Sequence, residues 1–182
     1  MVSDIKEVLS MLYDLYKSNM DKKYNEFNDY ITDIFDKTKI IEENYTDILS
    51  KIKYGVIYEK WNSEIVIKYL SEIEYELKSE RVYIRENLKH LNRIYNGELE
   101  VFVGAVFNIM YCDYVERFWI GKDLEHRFTG LIKEANRFRY EPLYKEKFIE
   151  HINYMLNEVN KSWEIVCAEY FKLKEKYGNK IF

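Results

Sequence analysis

Apolar residues recur every three or four positions through most of this chain, and a single proline, Pro142, stands in the way of helix. That pairing leaves few folds open. Spacing of three and four puts apolar side chains on one helical face. A chain so poor in proline has few forced breaks between such faces. The class this predicts is all-α, a multi-helix bundle with a long coiled-coil-like N-terminal arm.

The arm carries the stripe Ile5, Val8, Leu9, Leu12, Leu15, Tyr16, Met20, Tyr24, Phe27, Ile31, Ile34, Phe35, Ile41, Tyr45, Ile48, Leu49, Ile52. Unbroken, about 48 residues at about 1.5 Å each would span roughly 70 Å. Asn28-Asp29 and Asp36-Lys37-Thr38 weaken helix propensity and favour a break near Asn19 or around Lys37-Thr38, giving two or three antiparallel helices. Residues 1–54 are read as the arm and 55–182 as a helical core, together one structural unit.

Beyond Gly55, Asn62-Ser63-Glu64 caps a second long helix with the stripe Val66, Tyr69, Leu70, Ile73, Leu77, Ile84, Leu88, Leu91, Ile94. Asn96-Gly97 reads two ways. It fits a helix C-cap with glycine in the left-handed region. It also fits a hairpin turn, with a small β-hairpin near residues 91–103, because residues 98–103 alternate. Residues 99–120 are the most apolar stretch. A short helix over 122–139 follows, with Leu124, Phe128, Leu131, Ile132 and Ala135 inward. Pro142 suits the start of the last helix, which Gly178 ends.

Net charge is −4, so generic affinity for nucleic acid or a membrane surface is not expected. No run reaches the 18 apolar residues a membrane span needs. The two cysteines, Cys112 and Cys167, have apolar neighbours and no paired spacing, which fits buried free thiols and a reducing cytoplasm. The first residues, Met1-Val2-Ser3-Asp4, lack the basic and apolar regions of a signal peptide. Tyrosine is the outlier at 18 residues. Lys, Ile, Asn and Tyr are all favoured by AT-rich codons, as in a low-GC bacterium or its mobile elements. Tyrosine also suits recognition surfaces. Tyr13, Tyr16, Tyr24, Tyr30, Tyr45 and Tyr58 are the interface candidates.

Three chemistries bear on this sequence. Arg85-Glu86-Asn87-Leu88-Lys89-His90 resembles the HEPN motif of metal-independent ribonucleases, which are small helical domains. That resemblance implies His90 as general acid or base and Arg85 as the phosphate-holding cation. It also implies a cleft shared across a dimer, since residues five apart on a helix are offset by about 140°. The family prefers a small polar residue after the arginine, where this chain has Glu86. The basic segment 126–147 interleaves His126, Arg127, Lys133, Arg137, Arg139, Lys145 and Lys147 with aromatic residues, so Arg127, Lys133, Arg137 and Arg139 are candidates for nucleic-acid binding. For metals, the spacing of His90, His126 and His151 makes neither a zinc set nor a di-iron set, and no cofactor is expected.

The reading reached from sequence is a non-enzymatic helical protein that binds a partner protein or ribonucleoprotein. It could act as a phage or mobile-element inhibitor of a host defence nuclease, and it could form a homodimer. A HEPN-like ribonuclease and a nucleic-acid-binding module are the alternatives.

Overall fold

The computed structural model describes residues 2–95, 97–111 and 127–178, and among these it is helical without a strand. Helix α1 spans Val2–Glu26 and α2 spans Thr32–Ile57. Then come α3 (Ser63–Glu76), α4 (Lys78–Ile94), α5 (Glu100–Met110), α6 (Arg127–Tyr140) and α7 (Lys145–Tyr177). Predicted features on Asn96, Cys112, Gly121, Asp123, Leu124 and His126 lie outside the described residues, as does most of the apolar stretch after Tyr111.

The arm is not broken near Asn19 or around Lys37-Thr38; its one irregularity among the described residues falls on Asn28-Asp29. Between α1 and α2 the chain makes one π-helical turn, Phe27–Ile31, and goes on as helix. The Thr32 hydroxyl reaches back to the Phe27 carbonyl at 3.3 Å. Both Phe27 and Ile31 are buried by this turn. A π-turn holds one extra residue and realigns the face that follows it. At the other expected break, Thr38 is buried and its hydroxyl donates to the Ile34 carbonyl at 2.6 Å. That back-bond satisfies the hydroxyl inside the helix, so no break is required.

The second long helix is divided in two. Asn62 caps α3 as expected, its side chain accepting from the Ile65 amide at 3.0 Å. The helix then stops at Leu77, before α4. Of the two readings of Asn96-Gly97, the described residues form helices and not the hairpin near 91–103: α4 runs to Ile94, Gly97 takes φ +84°, and α5 begins at Glu100. Packing decides this. A strand would bury alternate residues, whereas Leu99, Phe102, Val103, Val106, Phe107 and Met110 are buried at helical spacing and Val101 is exposed.

One continuous core joins α2 to α7. From α2 come Ile34, Ile41, Tyr45, Ile48, Leu49, Ile52 and Val56, and from α7 come Phe148, Ile152, Met155, Val159 and Val166. Helix α7 runs antiparallel to the arm. Phe35 lies over Trp163 and Tyr170, and Phe27 lies over Tyr170. Further along, Lys23 reaches Tyr177. Helix α2 ends in a left-handed residue, Glu59 (φ 57°), with the Lys60 and Trp61 amides each 2.9 Å from the Gly55 carbonyl. This satisfies carbonyls a helix end would leave open. Among the described residues no helix is long and apolar enough to cross a membrane.

Candidate interaction arm

The arm leaves the bundle just above a cluster of hydrogen bonds. Lys23 Nζ and Lys176 Nζ each donate to Glu98, both at 2.9 Å, and the Tyr177 hydroxyl donates to the same carboxylate. Tyr95 donates to the Lys23 carbonyl at 2.7 Å. Glu98 sits on the turn between α4 and α5, so three parts of the bundle grip the arm at one level. The Tyr177 hydrogen bond, with those from the two lysines, holds the Glu98 carboxyl down to about 2.

Beyond that cluster the arm residues with described side chains lie outside the core. Residues 10–19 are exposed on every side of the helix. Met11, Leu12, Leu15 and Tyr16 are 62%, 56%, 67% and 55% exposed. From helical geometry these four span about 140° of the helix circumference. Single exposed apolar residues are ordinary on proteins, but a contiguous apolar face marks a docking surface. Alongside runs a polar groove that includes Asp14, Ser18, Asp21, Asn25 and Asp29.

The six candidate tyrosines do not share one face. Tyr13, Tyr16 and Tyr58 are exposed, Tyr24 and Tyr30 are half-buried, and Tyr45 lies in the core. Burial raises the Tyr45 hydroxyl's pKa, and the Arg81 guanidinium hydrogen-bonds to it. Tyr45 therefore has no surface to offer a partner. The arm's aliphatic residues were missed as interface candidates, because from sequence they look like core.

Arg85 and His90 are both on α4, and the structure places them in no shared cleft among the described residues. Arg85 donates to its neighbour Glu86 at 3.1 Å, and Lys89 reaches the same carboxylate at 3.2 Å. The Lys89 hydrogen bond, followed by the Arg85 contact, depresses the Glu86 pKa and keeps its charge beside the guanidinium. His90 is exposed, with its ring at the edge of Tyr30.

The basic segment is likewise engaged within the fold. Arg127 is buried, and its Nε lies 2.9 Å from the carbonyls of Asn108 and Ile109. It caps the carboxyl end of α5, where open carbonyls and the helix dipole favour a cation. Its guanidinium is thus engaged inside the fold. Arg139 is paired with Glu64 at 2.6 Å, and Arg137 with Glu134 at 3.3 Å. Lys133 is exposed. Two buried side-chain atoms of the described residues have no hydrogen-bond partner, Arg81 Nη1 and Glu26 Oε2. No cluster of metal-ligating side chains occurs among the described residues. Cys167 is a free thiol whose pKa is raised by burial.

No protein-family model, curated protein or solved structure matches this chain.

Proposed function

We propose that this chain is a non-enzymatic interaction protein that acts by binding another polypeptide through the apolar face of its arm. The observation that carries this reading is the exposure of Met11, Leu12, Leu15 and Tyr16 together on a helix gripped at its base. Burying such a face against an apolar surface is the main source of protein association. A rigid helix offers its anchors at fixed spacing, which suits a groove or another helix. The pairing of Arg85 with Glu86 supports this reading over a HEPN-like ribonuclease. The capping role of Arg127 and the ion pairs of Arg137 and Arg139 support it over a nucleic-acid module. Occlusion of a partner protein or ribonucleoprotein, as by an inhibitor of a host defence nuclease, is the activity such an arm would serve.

The test compares the tagged wild type with Leu12→Asp/Leu15→Asp in an affinity capture, with bound protein and RNA identified together. The wild type should hold one stoichiometric polypeptide that the variant loses. Equal capture by both would refute the arm as the binding surface. RNA cleavage abolished by His90→Ala would refute the non-enzymatic reading.

A further inference from the structure

We draw no further inference here: the strongest candidate, the apolar face of the arm formed by Met11, Leu12, Leu15 and Tyr16, carries nothing beyond the reading already proposed, because nothing in the structure shows what covers it.

Discussion

Gly55 is the position where one methyl group should have an effect whose sign depends on a neighbour. It lies in the last turn of α2, and a Cβ built there would sit 2.6 Å from Cγ and 2.7 Å from Cδ2 of Trp61. The indole is rigid and held on its other side by Tyr69, the ring centroids being 4.9 Å apart. To restore ordinary contact it must move by about 1 Å, and overpacking of this kind costs about 2 kcal/mol. Against that, alanine is about 1 kcal/mol better than glycine inside a helix. Gly55→Ala should therefore destabilise the protein by about 1 kcal/mol, or about 3 °C in Tm for a chain of this size. With Trp61→Ala in place the clash disappears and only the helix preference remains. The same Gly55→Ala change should then stabilise by about 1 kcal/mol, a coupling of about 2 kcal/mol. Urea melts of the four proteins, followed by circular dichroism at fixed pH, give all four values. If Gly55→Ala costs as much without Trp61 as with it, the indole contact is not the reason for glycine here.

Two further outcomes can be checked in the same way. Because Glu98 is held down to about 2 from an ordinary 4.5, its contribution is fully present above pH 4.5 and is lost as pH falls toward 2. With solvent screening of this partly exposed group allowed for, wild type should lose about 1 kcal/mol more than Glu98→Gln between pH 5 and pH 2 in urea melts; equal slopes would refute the cluster's role. Arg127→Met should cost about 3 kcal/mol in urea melts, because it leaves the last carbonyls of α5 buried without a donor. A cost under about 0.5 kcal/mol would mark Arg127 as an ordinary surface cation.

The helices themselves were largely legible, because a three-and-four spacing reports burial on one side and little else produces it. Asn62, Gly97 and Gly178 marked real ends, each with a local physical reason. What the spacing could not report is which part of a stripe is covered. Leu12 and Ile41 look alike in sequence, yet one projects into solvent and the other is in the core, because the bundle stops between them. Likewise Arg127 and Arg137 sit in one basic segment ten residues apart. Only the position of the α5 carbonyl end, set by tertiary packing, makes one a buried cap and leaves the other at the surface. The Phe27–Ile31 turn holds Asn28 and Asp29, which weaken helix propensity, but its apolar residues keep helical steps, so the spacing did not mark it as a π-turn.

That turn has a consequence for how the arm is aimed. A helix advances about 100° per residue, so losing one residue within 27–31 would return the backbone to an ordinary helix and swing everything above it by about that angle. Leu12 and Leu15 would keep their chemistry and their exposure but would look out over a different quarter of the molecule. The bearing of the apolar face is thus set at a single turn some fifteen residues below it. A lineage of such chains could re-aim the arm by one codon, without altering a residue of the surface it presents.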